Sequence, residues 1–130
     1  MIVKSTNRFF TRLKDPTPFE IQTEIIYKIP CLDCGKCYIE QTTQYMGERI
    51  KQHKSDQKNL SNFNKTALTT HAFYENHRFN FDNTTILDRE KFAYKRNISE
   101  MVYIKLNDSV NFRDDVKNLS MVYNFLLDRT

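Results

Sequence analysis

The sequence has no tryptophan, only 2 glycines and 3 prolines in 130 residues, and 3 cysteines. So little glycine and proline excludes a collagen-like, loop-dominated or low-complexity chain. No apolar run approaches the roughly 18 residues of a membrane-spanning helix. The N-terminal stretch up to Asp15 lacks the apolar core and small-residue cleavage site of a secretory signal. That predicts an intracellular chain whose cysteines are not paired as disulfides. The length is that of one domain, with no room for a polymerase, a kinase or a two-domain enzyme. A mean hydropathy of −0.67 predicts a soluble fold with a thin core. Lys and Arg total 20 against 16 Asp and Glu, a net charge of +4. That excess is compatible with a polyanionic partner and does not demand one.

Residues 1–20 show no period that survives the Pro16-Thr-Pro18 break, and they read as a linker or the remnant of an upstream polyprotein. The domain proper is expected over 21–130. Glu24 to Ile29 is rich in β-formers and ends at Pro30, which predicts a strand. Cys31 to Gly35 reads as a tight turn and Lys36 to Gln41 as a second strand, so the pair forms a hairpin with a cysteine-bearing tip. A helix is expected from Thr42 to about Lys54, with Thr42 or Thr43 as N-cap. After a polar loop, Thr66 to about Asn76 reads as a second helix and Asn83 to Asp88 as a third strand. Lys91 to Leu106 is the longest helix, with Tyr94, Ile98, Met101, Val102 and Leu106 on one stripe. The tail from Val110 mixes loop with a helical turn near Met121 to Leu127. The order ββααβα predicts a small α+β domain with helices packed on a short sheet.

Three groups of residues can carry chemistry. Tyr27 and Tyr38 stand one on each hairpin strand, where two phenols on one sheet face can hold a water or a phosphate. Arg49 and His53 stand at i, i+4 on the first helix: Arg grips phosphate bidentately, and His moves protons near neutral pH. Arg96 and Glu100 repeat that spacing on the long helix, with Glu100 beside the apolar stripe as a single hard ligand for a cation such as Mg2+. Taken singly, each has an ordinary explanation: cross-strand packing, a solvated basic face, a surface ion pair.

Together these pieces resemble the GIY-YIG nuclease family, and most of all the endonuclease domain of Penelope-like retroelements. The strings that carry the likeness are Ile26-Tyr-Lys-Ile-Pro-Cys31, Cys34-Gly-Lys-Cys-Tyr-Ile-Glu-Gln-Thr42 and Arg49-Ile-Lys-Gln-His53. They continue with Ala67-Leu-Thr-Thr-His71, Phe81-Asp-Asn-Thr-Thr-Ile-Leu87, Val110-Asn-Phe-Arg113 and Asn118-Leu-Ser120. The resemblance implies a small domain with a central three-stranded antiparallel sheet flanked by helices. It implies a metal-dependent endonuclease that nicks DNA. In it Glu100 would hold a Mg2+ ion, Tyr27 would orient or deprotonate the attacking water, Tyr38 and Arg49 would contact the phosphate, and His53 would assist proton transfer. It further implies a nuclear location, DNA as partner and an original fusion to a reverse transcriptase. No membrane contact is expected, and the oligomeric state stays open.

The resemblance also assigns the cysteines. Cys31-x2-Cys34 followed by His71-x5-His77 makes a Cys2His2 set of the type found in the retroelement branch. Thiolate and imidazole are zinc's preferred ligands, and four of them close a structural site. Such a zinc would pin the hairpin tip to the second helix. Cys37 is a rival third thiol, although alternation turns it away from Tyr38 and towards the core. Two positions depart from the family pattern. Ile25 stands where the wider family has glycine, as is common in the retroelement branch. Glu40 stands where the family ends its second motif in glycine, and it adds bulk and negative charge beside the site expected for the phosphate. The rival readings are a catalytically decayed, zinc-containing domain that only binds DNA, and a zinc-stapled interaction domain.

Overall fold

A computed structural model describes residues 17–112. Three strands, β1 (Ile25–Pro30), β2 (Cys37–Thr42) and β3 (Thr85–Arg89), form one sheet in the order β2-β1-β3. Both pairings are antiparallel. Three helices accompany it: α1 (Met46–Lys58), α2 (Ala67–Glu75) and α3 (Ala93–Leu106). The small α+β domain with a three-stranded antiparallel sheet is thus the architecture observed. The expected last helical turn near residues 121–127, and the strings at 113 and 118–120, lie outside the described residues.

The hairpin register sets the chemistry of the two faces. Tyr27 pairs with Glu40, Ile29 with Tyr38 and Ile25 with Thr42, so these six side chains share one face. That face packs on Met46 and Ile50 of α1 and Ala67 and Leu68 of α2 in the main core. The opposite face carries Ile26, Cys37 and Ile39, which pack with Ile104 of α3. Cys37 is therefore a core residue, as alternation predicts.

The ends of α1 and the extent of the α3 stripe differ most from the sequence-based expectation, while β3 and α3 each begin two residues later than expected. Helix α1 begins at Met46, not near Thr42, and its N-cap Tyr45 makes no side-chain cap hydrogen bond. Thr42 instead ends β2 opposite Ile25, and its Oγ1 accepts the Gln44 N–H at 3.0 Å. The hydroxyl serves a turn rather than a cap, because pairing with β1 keeps its backbone extended. The first turn of α1 rests on the short 3-10 turn Phe19–Ile21, so closely that a Cβ added at Gly47 would lie 3.2 Å from the Cβ of Glu20. The apolar stripe of α3 is also shorter than its period suggests. Tyr94 and Leu106 are exposed, and the buried residues are Arg96, Ile98, Ser99, Val102 and Ile104. Among the described residues α3 covers the sheet from Arg96 to Ile104, and Tyr94 and Leu106 lie outside that contact.

Helix α2 matches its expected range. Thr66 and Thr69 form a reciprocal capping box at its start, and Asn76 closes it in the left-handed conformation at φ 55°. That turn brings His77 back beside His71. A β-branched side chain tolerates positive φ poorly, so Asn76→Val should cost about 1–2 kcal/mol. In thermal melts it should unfold well below wild type, while Asn76→Gly should stay close to it.

Candidate functional site

The sheet face that looks towards α1 carries a buried polar cluster centred on Glu40. One Glu40 oxygen accepts Tyr27 Oη–H at 2.8 Å and Arg49 Nε–H at 2.7 Å. The other accepts the Tyr38 hydroxyl and Arg49 Nη2–H, the latter at 3.1 Å. Those four hydrogen bonds use the full in-plane capacity of a carboxylate. His53 closes the group, its Nε2 standing 2.7 Å from Tyr27 Oη. Tyr27 and His53 are fully buried, and the side chains of Arg49 and Glu40 keep only 16% and 18% of their exposure. The i, i+4 spacing places Arg49 and His53 on one side of α1, and the hairpin register supplies the rest.

The electrostatics follow from burial and from one charge pair. Burial opposes ionisation of Glu40, but the Arg49 hydrogen bonds and charge, helped by Tyr38, hold the carboxyl below its ordinary range. Burial and then the Glu40 charge push both phenols upward, so Tyr27 and Tyr38 stay protonated. Burial lowers His53 from 6.5 to about 4, Arg49 adds to the shift, and Glu40 and Asp56 oppose it. At neutral pH the cluster is one ion pair, two neutral phenols and one neutral imidazole.

Glu100 lies at the border of this cluster. Its two carboxylate oxygens accept Gln41 N–H at 3.2 Å and Gln41 Nε2–H at 3.1 Å, on the outer edge of β2. Gln41 follows Glu40 directly but faces α3, so Glu100 reaches the edge strand from the other side of the sheet. Its charge still contributes to the upward shift of Tyr38, after burial and Glu40. Arg96 is buried, not a surface partner. Its guanidinium donates to Gln41 Oε1 at 2.8 Å and to the carbonyls of Glu90 and Lys91 at 3.0 and 3.2 Å.

A second cluster joins the hairpin tip to α2. Cys31, Cys34, His71 and His77 bring one ligand atom each to within 4.8 Å of one another. His71 Nε2 lies 3.7 Å from Cys31 Sγ, 3.5 Å from Cys34 Sγ and 3.1 Å from His77 Nδ1, and Cys31 Sγ lies 3.6 Å from His77 Nδ1. A tetrahedron with Zn–S of about 2.3 Å and Zn–N of about 2.0–2.1 Å has edges of roughly 3.5 Å between S and N and roughly 3.3 Å between N atoms. The donor set therefore fits a metal such as zinc in both chemistry and spacing. Burial and the His77 charge lower His71, keeping the imidazole neutral as a ligand must be. Burial pushes the Cys31 thiol up, against the pull of the Asp33 N–H, which points at its sulfur at 3.4 Å. Around the four ligands, Asp33 Oδ2 accepts Arg78 N–H at 2.7 Å and the Phe79 ring sits edge-on to His71 at 5.6 Å.

The four residues Tyr27, Tyr38, Arg49 and His53 thus meet in one place, and the two pairs Cys31/Cys34 and His71/His77 in another. Reading by sequence missed Gln41, which orients Glu100, and Asp56, a buried carboxylate on α1. The signal for Asp56 was the spacing Met46, Ile50, His53, Asp56, a continuous buried face on an otherwise polar helix. Scans against protein-family models, curated proteins and solved structures gave no match.

Two outcomes are expected. The purified protein should carry about one zinc per chain. A chelator, Cys34→Ser or His71→Ala should remove the metal together with much of the thermal stability, because a structural zinc supplies on the order of 10 kcal/mol. A metal-free preparation whose melting point ignores chelator would contradict the site. The second outcome concerns acid. Between pH 6.5 and about 4 the unfolded chain takes up a proton at His53 that the folded chain refuses, so stability falls as pH drops. The loss approaches about 3 kcal/mol at the acid end of that window. Glu40, held below its ordinary 4.5, extends the loss further down. His53→Asn should lose less melting temperature than wild type between pH 7 and pH 4.5. Equal slopes would mean that His53 takes up its proton over the same pH range in the folded and the unfolded chain.

Proposed function

We propose that this domain is a GIY-YIG-type, metal-dependent DNA endonuclease of the kind carried by Penelope-like retroelements, held in check by Glu40. The observation that carries the reading is the convergence of Tyr27, Tyr38, Arg49 and His53 on one carboxylate. A carboxylate that accepts two phenols and a bidentate guanidinium occupies the place of an anion of phosphate's kind. With a phosphodiester there, Arg49 neutralises the charge that grows on the phosphoryl oxygens, and Tyr38 donates to one of them. Tyr27 orients the attacking water, and His53, neutral at pH 7, accepts a proton through the Tyr27 hydroxyl. Glu100 supplies a hard oxygen donor, oriented by Gln41, that suits a divalent cation such as Mg2+. When bound, that ion adds positive charge at the phosphate. The DNA partner, the former fusion to a reverse transcriptase and the nuclear setting belong to the same reading.

The same contact favours a second reading, a catalytically decayed domain that keeps its zinc and binds DNA without cutting it. Glu40 competes with substrate for Arg49 and sets a negative charge beside the phosphate. Two unit charges 4 Å apart at an effective dielectric near 20 interact by about 4 kcal/mol, and each 1.36 kcal/mol is about tenfold in rate.

A plasmid-nicking assay with Mg2+ separates the two. Wild type should nick weakly or not at all, and Glu40→Gly should nick at least tenfold faster, with Glu100→Ala abolishing the gain. Removing one partner of a buried ion pair is destabilising, so the rates are compared at equal zinc content and equal folded fraction. No nicking by folded Glu40→Gly would overturn the endonuclease reading. Salt-dependent DNA binding by the same protein would then support the decayed one.

A further inference from the structure

Tyr27 has one hydroxyl proton and two partners, Glu40 Oε2 at 2.8 Å and His53 Nε2 at 2.7 Å. The ionised Glu40 carboxylate can only accept, so it takes that proton. His53 Nε2 must then carry its own hydrogen and donate it to Tyr27 Oη. A neutral imidazole has a single N–H, which leaves Nδ1 as a bare acceptor. Among the described residues His53 Nδ1 is buried without a hydrogen-bond partner, and so is Asp56 Oδ2, one helical turn further along the same buried face of α1. The other Asp56 oxygen is engaged, accepting from Asn62 Nδ2 at 3.1 Å and Lys65 Nζ at 3.2 Å. Two unpaired acceptors on one buried helix face are costly, because neither supplies the hydrogen the other needs.

We propose that Asp56 is a positioning residue that selects the tautomer of His53, and that Glu40 and Asp56 compete for it. With Glu40 in place, His53 is held in the Nε2–H form, which cannot accept a proton from Tyr27. Once Glu40 gives up Tyr27, Asp56 draws the imidazole hydrogen to Nδ1, directly or through one water. Nε2 then presents a lone pair to the Tyr27 hydroxyl. Water can now pass a proton to the Tyr27 oxygen while Tyr27 passes its own to Nε2, and the imidazolium so formed keeps its Nδ1–H directed at the Asp56 carboxylate. This deepens the endonuclease reading and rests on it for the catalytic meaning, but the tautomer itself does not depend on cleavage.

The test is the 15N spectrum of the His53 ring in the zinc-loaded protein at pH 7.5, where a protonated and a bare ring nitrogen resonate far apart. Wild type should show Nε2–H. Glu40→Ala should show Nδ1–H, and Glu40→Ala combined with Asp56→Asn should return to Nε2–H, since an amide can donate to a bare Nδ1. Backbone resonances in the same samples report whether each variant is folded. Asp56→Asn in the wild-type background gives an independent arm. Its amide supplies the hydrogen that Nδ1 lacks, so the Nδ1 resonance should shift on gaining a hydrogen bond while Nε2 stays protonated. Melting temperature is not the readout, because the same change removes the Lys65 ion pair at 3.2 Å. Nδ1–H in wild type, an unchanged tautomer in folded Glu40→Ala, persistence of Nδ1–H in the double variant, or an unmoved Nδ1 resonance in folded Asp56→Asn would each overturn the proposal. A nuclease that fails to cut while its tautomer switches as described would fault the endonuclease reading instead.

Discussion

Everything on the α1 side of the sheet answers to the buried charge of Glu40. A carboxylate with so little exposure must find its compensation within the protein, and this one finds a guanidinium and two phenols. To deliver them, β1 and β2 must pair with Tyr27 opposite Glu40, because a slip of one residue would turn Glu40 to the α3 face. Helix α1 must dock with Arg49 over the hairpin, which buries His53 against Tyr27. One ion pair thus ties strand register to helix orientation, while burial, more than the charge, keeps the neighbouring phenols and imidazole neutral.

The Cys2His2 cluster does at the hairpin tip what Glu40 does at its centre. The core of a chain this size is thin, and the tip has few apolar residues with which to hold α2. A metal there would tie residues 31–34 to 71–77, where backbone contacts already run. Leu32 N–H donates to the Arg78 carbonyl at 2.7 Å, Asn80 N–H donates to the Pro30 carbonyl at 2.8 Å, and Cys31 bridges Phe79. The left-handed turn at Asn76 is the small local strain that makes the fourth ligand available.

The two clusters lie on the same hairpin, so a metal at the tip would stabilise the register on which the polar cluster depends. Glu100 reaches the sheet independently, through Gln41 on the exposed edge of β2. Among the described residues no fourth strand runs along that edge. The backbone of 108–110 bridges Cys37, with Cys37 N–H donating to the Asp108 carbonyl at 3.1 Å and Val110 N–H to the Cys37 carbonyl at 2.8 Å, and side chains cover the rest. Asn111 Oδ1 accepts Ile39 N–H at 3.0 Å, and Glu100 accepts Gln41 N–H. Capping of this kind protects an edge strand from pairing with a second chain.

Much of this was legible in the residues alone. Strand alternation placed Tyr38 and Glu40 on one face of β2 and Cys37 on the other, because a period of two leaves no choice within a strand; the pairing register decides that Tyr27 joins them. Helical spacing placed Arg49 with His53, and the paired Cys and His spacings anticipated a Cys2His2 group, able to hold a metal, that the fold then assembled. Local pattern could not say which way Arg49 turns. Its sequence neighbours suggest a solvated basic face, and only the docking of α1 on the hairpin brings it against Glu40. The start of α1 was misjudged for the same reason, since pairing with β1 overrides the capping preference of Thr42. Arg96 and Asp56, polar residues that read as surface, are buried because partners outside their own helices reach them: Gln41 on β2 for one, Asn62 and Lys65 just past the end of α1 for the other. Periodicity ranks positions by the side they face. The burial of a charge is decided by whether the rest of the chain can bring it a partner, and that is a property of the tertiary structure.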